Sequence, residues 1–229
     1  MVPRGDAVTG PHDHREHEGR EDILGAAFWD RRYRSRSALW SGHPNPHLVA
    51  EAAELAPGAA LDVGCGEGAD AIWLAERGWR VTAADVSTVA LERGAAQALV
   101  VGAEVAQRIA WRQADVIDWV PAAASYDLVS AQFMQLPREP RAALFGRLAA
   151  AVAPGGTLLV VGHDPSDLQT TVPRPPRPEL FFTASDVATS LDPEAWEVIV
   201  EAARARTARD REGRTVAIHD AVLRARRRG

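Results

Sequence analysis

The strongest constraint on how this chain folds is the passage from Ala59 to Arg77. An apolar run, Ala59 to Val63, carries a carboxylate, Asp62, near its end and enters Gly64-Cys65-Gly66-Glu67-Gly68, after which Ala69 to Arg77 has helical character and Gly78 closes it. Glycines at alternate positions are needed where the backbone turns sharply and where a ligand approaches so closely that a Cβ would collide. A strand, a glycine turn and a helix in that order build the carboxyl edge of an open α/β sheet.

The rest of the chain repeats the alternation. Trp79 to Ala84, Ile109 to Gln113, Tyr126 to Ala131 and Thr157 to Val161 read as strands, and Ser87 to Val101 and Arg138 to Ala151 as helices, the latter ended by Pro154-Gly155-Gly156. After a Pro-rich loop from Asp164 to Pro178, a cap at Thr183, Ser185 and Asp186 opens a helix that runs to Leu191. Trp196 to Ala203 and Val216 to Arg224 read as strands joined by a polar turn, Ala208 to Gly213, which suits an antiparallel hairpin. The expected fold is a Rossmann-like α/β three-layer sandwich, a mostly parallel seven-stranded sheet with a C-terminal antiparallel hairpin.

Upstream, Ile23 to Trp40 sets Phe28, Trp29, Tyr33 and Trp40 among arginines, and His47 to Leu55 reads as an amphipathic helix stopped by Pro57-Gly58. Residues 1–22, rich in Gly, Pro, His and charge without apolar periodicity, read as a disordered arm, and residues 23–229 as one domain with an N-terminal lid and helix over 23–57 and a core over 58–229. The histidines of the arm have no regular ligand spacing, so no metal site is expected.

With 46% hydrophobic residues, 229 positions are enough for one well-buried core. The single cysteine, Cys65, excludes an internal disulfide and a Cys-x-x-Cys zinc pair, and no run approaches the roughly 20 apolar residues of a bilayer crossing, so a cytoplasmic protein without a membrane partner is expected. A net charge of −5 offers no general attraction to nucleic acid. The basic group Arg224, Arg226, Arg227 and Arg228 reads as a solvated, frayed tail after the last strand.

The glycine loop alone leaves its ligand open. Gly64, Gly66 and Ala69 also satisfy the dinucleotide pattern G-x-G-x-x-G/A, and Asp85, 21 residues after Gly64, is placed for the ribose hydroxyls of either NAD or S-adenosylmethionine. The ordered series ALDVGCGEG at 60–68, VTAADVS at 81–87, Asp115-Val116, YDLVSAQF at 126–133 and APGGTLLV at 153–160 resembles the class I S-adenosylmethionine-dependent methyltransferases, in particular the small-molecule branch of tellurite-resistance and thiopurine methyltransferases. The resemblance implies that Asp62, Gly64, Cys65, Gly66 and Gly68 face the methionine and sulfonium end of the cofactor. It sets Asp85 on the ribose, Val86 beside the adenine, Asp115 on the adenine amino group, Val116 against the ring and Gln132 near the sulfonium. Tyr33 and Trp40, with Asn45 after them, resemble the lid that closes over the donor in this branch. Read without the resemblance, Asp62 and Asp115 also serve as turn caps, and Gln132 as an ordinary core-edge residue.

Methyl transfer from a sulfonium is an in-line displacement that rests on alignment and exclusion of water, and a soft anionic acceptor needs no base. Where a proton must be removed, His163, just after the fifth strand and before Asp164, is the candidate base; its other reading is a histidine that packs or caps the loop. Arg31, Arg32, Arg34 and Arg36 read as a solvated helix face, with recognition of an anionic acceptor as the alternative. No Asn-Pro-Pro-Tyr string of the amino- and DNA-base methylating families is present, so a small-molecule acceptor is the default, and a nicotinamide-dependent oxidoreductase or a non-catalytic cofactor-binding module are the alternatives.

Overall fold

The computed structural model describes residues 25–134, 136–174 and 177–229. The arm expected over residues 1–22 lies outside the described residues, as do the first positions of the lid. Strands β1 (Ala59–Val63), β2 (Arg80–Asp85), β3 (Ile109–Gln113), β4 (Tyr126–Gln132), β5 (Val152–His163), β6 (Trp196–Arg209) and β7 (Thr215–Arg227) form one seven-stranded sheet in the order β3-β2-β1-β4-β5-β7-β6. β1, β2, β3, β4 and β5 are parallel, and β7 runs antiparallel to both β5 and β6.

β1 shows why this order holds. Its residues are buried from Ala60 to Val63, on both faces of the sheet, which a short continuous apolar run satisfies and an alternating one would not. Helices α3 (Ala69–Glu76) and α2 (Pro46–Ala52) contribute Leu74, Trp73 and Leu48 to the core on one face, with Trp79 beside them; on the other, α6 (Arg138–Ala151) contributes Leu144 and Leu148, packed with Phe182. The sequence order of strands reverses between β1 and β4, so the crevice at their carboxyl ends is the topological switch point where open α/β sheets take ligands.

The remaining helices are α1 (Ala26–Arg34), α4 (Thr88–Val101), α5 (Ala103–Gln107) and α7 (Ala184–Ala188). α1 is anchored to the start of α4 through Asp30, whose carboxylate accepts Ser87 Oγ at 2.5 Å and the Val89 amide at 3.4 Å, while Ser87 Oγ in turn accepts from the Ala90 amide. Ser87 therefore caps α4 as expected, and Asp30 supplies the negative charge that favours a helix N-terminus.

Some boundaries move. β5 starts at Val152 instead of Thr157 because the chain leaves α6 directly into pairing with Tyr126. α2 ends at Ala52 and α7 at Ala188, short of the expected Leu55 and Leu191. The hairpin is longer than expected at both ends, and the turn contracts to a loop in which Asp210 Oδ1 accepts the amides of Glu212 and Arg214. The frayed basic tail is not observed. Arg224 and Arg226 lie within β7 and pair with Glu51 at 3.4 Å and Glu197 at 2.7 Å, and Arg227 donates to the Val152 carbonyl at 2.6 Å. Opposite charges on α2 and β6 turn what reads as a loose polycation into the last strand. Among the described residues no helix is long and apolar enough to cross a membrane.

Candidate active site

The carboxyl edge of β1 and β2 gathers the glycine loop and its acids. Gly66 and Gly68 both have positive φ, 54° and 81°, and both are crowded: a Cβ on Gly66 would lie 2.9 Å from Tyr33 Oη, and one on Gly68 2.3 Å from the Trp111 ring. Backbone conformation and close approach together reserve these positions for glycine. Asp85, at the end of β2, accepts the Gly66 amide on Oδ2 at 2.9 Å and the Ser87 amide on Oδ1 at 2.8 Å, which fixes the loop to the neighbouring strand. The Val86 amide bonds this carboxylate as well, which leaves about one of its four acceptor sites open to an outside hydroxyl.

Asp62 is 1% exposed; its carboxyl takes one hydrogen bond from the Ala71 amide, and its Oδ2 has no partner. Burial, then the nearby charges of Asp70 and Asp85, push Asp62 well above the usual carboxylate range. Burial likewise lifts Asp70, in the first turn of α3, to about 6, against the opposing effect of the Asn45 amide. Burial raises the Cys65 thiol and the Tyr33 phenol as well, leaving both uncharged. Among the described residues no ion pair is formed by Asp62, Asp70 or Asp85.

The lid closes on the same acids. Glu67 Oε2 accepts the amides of Leu39 at 3.0 Å and Trp40 at 3.3 Å, while its Oε1 pairs with Arg93 at 2.9 Å, and Arg93 also donates to the Arg36 carbonyl. Trp40 Nε1 donates to Tyr33 Oη at 3.0 Å directly above Gly66. Tyr33 is buried, whereas Trp40 is 49% exposed. Asn45 then crosses the crevice: its amide donates to Asp70 Oδ1 at 2.6 Å, its Nδ2 to Gln132 Oε1 at 3.0 Å, and its Oδ1 caps α2.

Across the switch point the charges are paired. Asp220, 1% exposed and opposite His163 in the β5–β7 register, accepts Arg206 Nε and NH2 and lies 3.1 Å from His47 Nε2. Burial alone would raise Asp220, but these bonds carry it below the usual range. Asp167 takes Arg174 and the His219 amide, and Glu51 takes Arg204 and Arg224. His163 stands between the rings of Phe133 and Phe181, at 4.7 and 5.8 Å, with Nδ1 buried and unpartnered. Burial, aided by the Arg174 charge, pushes its pKa down to about 4, so the imidazole is neutral at pH 7.

Residues 60–156 match the model of a family described as a methyltransferase domain. Solved structures similar to it include TehB from Haemophilus influenzae (19% identity, 89% of this chain and 67% of that one, TM-score 0.64). Magnesium protoporphyrin IX methyltransferase, ChlM, from Synechocystis PCC 6803, solved with bound SAH, aligns at 20% identity over 91% and 97% of the two chains with a TM-score of 0.61. A protein from work on conversion of a disulfide bond into a thioacetal group during echinomycin biosynthesis aligns at 23% identity over 89% and 91%, TM-score 0.68. The fold is that of the S-adenosylmethionine-dependent methyltransferases, whose cofactor is S-adenosylmethionine.

Tyr33 and Trp40 stand over Gly66 and Asp85 holds its amide, with Asp62, Gly64, Cys65 and Gly68 in the same strand end and loop; Gln132 is tied to Asp70 through Asn45, and His163 ends β5. Asp115 and Val116 follow β3 at the outer edge, where Asp115 Oδ1 accepts the Ile117 amide and Arg147 holds the Val116 carbonyl at 2.6 Å. Sequence reasoning missed the lid anchors Glu67 and Asp70. Asp70 sits in the first turn of α3, where an acid is explained by the helix dipole alone, so nothing local marks it. Glu67 occupies a position that the Gly-x-Gly-x-Gly pattern leaves unspecified, and only the fold brings Leu39 and Trp40 onto it.

Proposed function

We propose that this methyltransferase moves the methyl group of S-adenosylmethionine to a small-molecule acceptor by in-line displacement. When bound, the cofactor supplies an electrophilic methyl on a sulfonium. The observation that carries the reading is the wholly buried, unpartnered Asp62 Oδ2 beneath the lid, a negative site without a cation in a pocket closed by Tyr33 and Trp40. A ligand bearing both ammonium and sulfonium charge fits that donor set.

In this reading Asp62 and the loop from Gly64 through Cys65, Gly66 and Gly68 hold the methionine end, and Asp85 takes the ribose through its open acceptor site. Val86 and Val116 flank the adenine, and Asp115 accepts from its amino group. Gln132, steadied by Asn45 and by its own bond to Ser130 Oγ at 2.8 Å, orients the sulfonium side. The lid tryptophan and tyrosine cover the cation and exclude water.

A small acceptor is favoured because Asn45 bridges Asp70 and Gln132 and the rings of Phe133 and Phe181 flank His163, and because one similar fold, magnesium protoporphyrin IX methyltransferase, is named for such an acceptor. His163 is the proposed proton acceptor. With a pKa near 4 it is a weak base, which suits thiols, acidic hydroxyls or acceptors that react as anions. The test is a panel of thiols, phenols, carboxylates and amines with methyl-labelled S-adenosylmethionine and mass-spectrometric detection, alongside calorimetry with S-adenosylhomocysteine. Labelled product with one or more small acceptors supports the reading. Failure to bind S-adenosylhomocysteine overturns it, and binding without turnover across the panel favours a non-catalytic module.

A further inference from the structure

The donor end of the crevice concentrates negative charge that the protein does not neutralise. Asp62 comes from β1, Asp70 from α3 and Asp85 from β2; Glu67 and the uncharged Cys65 come from the loop, and the uncharged Tyr33 from α1. Arg93 of α4 is committed to Glu67 and the Arg36 carbonyl, so it leaves the three aspartates uncompensated. Asp85 is satisfied by the amides of Gly66, Val86 and Ser87, whereas Asp62 receives one and keeps Oδ2 bare in the interior. Two carboxyls that sense each other in a dry pocket do not both ionise cheaply; one keeps a proton until a cation replaces it.

Resting on the S-adenosylmethionine reading, we propose that Asp62 and Asp70 share a proton in the ligand-free protein and release it when the ammonium group of the donor binds, which makes Asp70 a second donor-binding carboxylate. The O–H bond broken is that of a carboxylic acid, the proton passes to the buffer, and the ammonium takes over its electrostatic place. Asp70 has a second duty. It accepts the Asn45 amide, and Asn45 reaches Gln132, so a charged Asp70 makes the stronger anchor for the lid. Donor binding and lid fixation are thereby driven by the same loss of a proton.

The experiment is calorimetric titration of the full chain with S-adenosylhomocysteine at pH 5 in buffers of different ionisation enthalpy. The slope of observed enthalpy against buffer ionisation enthalpy counts protons released. A slope approaching one proton is expected, together with affinity that rises up to about tenfold per pH unit below pH 6 and levels off above it. The Asp62→Asn, Asp70→Asn double variant, isosteric at both positions, is expected to bind more weakly with a slope near zero. Undiminished binding with zero slope in the unmodified protein overturns the shared proton. A slope that persists in the double variant also overturns it, because the proton then comes from the ligand's own amine. Absence of binding in the unmodified protein sinks the cofactor reading itself.

Discussion

The two halves of the crevice each hold three acids and treat them in opposite ways. On the donor half, β1, β2 and α3 bring Asp62, Asp70 and Asp85 together with backbone amides as their partners, and one carboxylate oxygen is left bare. On the acceptor half, β5, β6, β7 and α2 pair Asp220 with Arg206 and His47, Asp167 with Arg174, and Glu51 with Arg204 and Arg224. Charge on the first side is met by backbone amides, without a described ion pair; on the second it is consumed in holding the hairpin to α2 and to the 165–174 segment. The acceptor half therefore offers aromatic walls and a neutral imidazole in place of a free ion.

The largest expected effect breaks the second half. Asp220→Ala leaves Arg206 and His47 facing an interior without their carboxylate, and costs about 2–3 kcal/mol, discounted because Arg206 is 35% exposed. That corresponds to a fall of roughly 5–10 °C in melting temperature for a chain of this size. A melt within one degree of the unmodified protein would show that the pairing is cosmetic.

The halves also respond to pH with opposite sign. Asp220 lies below its unfolded value, so its stabilisation is present above about pH 4 and is lost as the pH falls through its lower folded value. Asp62 and Asp70 lie above theirs, Asp70 at about 6, so the folded state holds protons that the unfolded chain has released. Stability of the ligand-free protein therefore declines as pH rises from about 4 through 6. Thermal melts from pH 4 to 8 check this. The decline is expected to flatten in the Asp62→Asn, Asp70→Asn variant and under saturating S-adenosylhomocysteine; an identical decline in all three breaks the comparison.

How far the two halves could be read from the sequence differs too. The donor half is written in one continuous stretch: an apolar strand, glycines spaced by steric need and the carboxylates Asp62 and Asp85 at two successive strand ends all lie between Ala59 and Asp85, so the turn and its acids are legible without knowledge of the fold. The acceptor half is assembled from residues far apart in sequence. His47 meets Asp220, and Glu51 meets Arg204 and Arg224, only because the hairpin folds back along β5. The Arg-Ala alternation from Ala203 to Arg206 has too little apolar contrast to read as a strand, which is why β6 was expected to stop at Ala203 and the terminal arginines to fray. Asp70 is the instructive exception on the donor side, local in sequence yet hidden by an ordinary helix-start role.

Asp85→Ala sharpens the donor half. It removes the proposed ribose acceptor and the bond to Gly66, and is expected to weaken S-adenosylhomocysteine by tenfold or more, about 1.4 kcal/mol at the least. His163→Gln is the matching change across the crevice, expected to lower turnover about tenfold while leaving that affinity within twofold. Loss of affinity in the second variant would place His163 on the donor instead.

The smallest effect separates cover from core within the lid itself. Tyr33 is buried and Trp40 is half in solvent, yet they share one hydrogen bond above Gly66. Trp40→Phe keeps an aromatic face and gives up only the bond to Tyr33 Oη, whereas Trp40→Ala removes the face altogether. If the ring attracts a sulfonium, S-adenosylmethionine should lose about threefold to tenfold in affinity with alanine, within the range of a cation held against an aromatic face. The uncharged thioether of S-adenosylhomocysteine should lose less, and phenylalanine should restore most of the difference. Equal losses for both ligands would make Trp40 a steric cover, and the preference of this pocket for a cation would then rest on its aspartates alone.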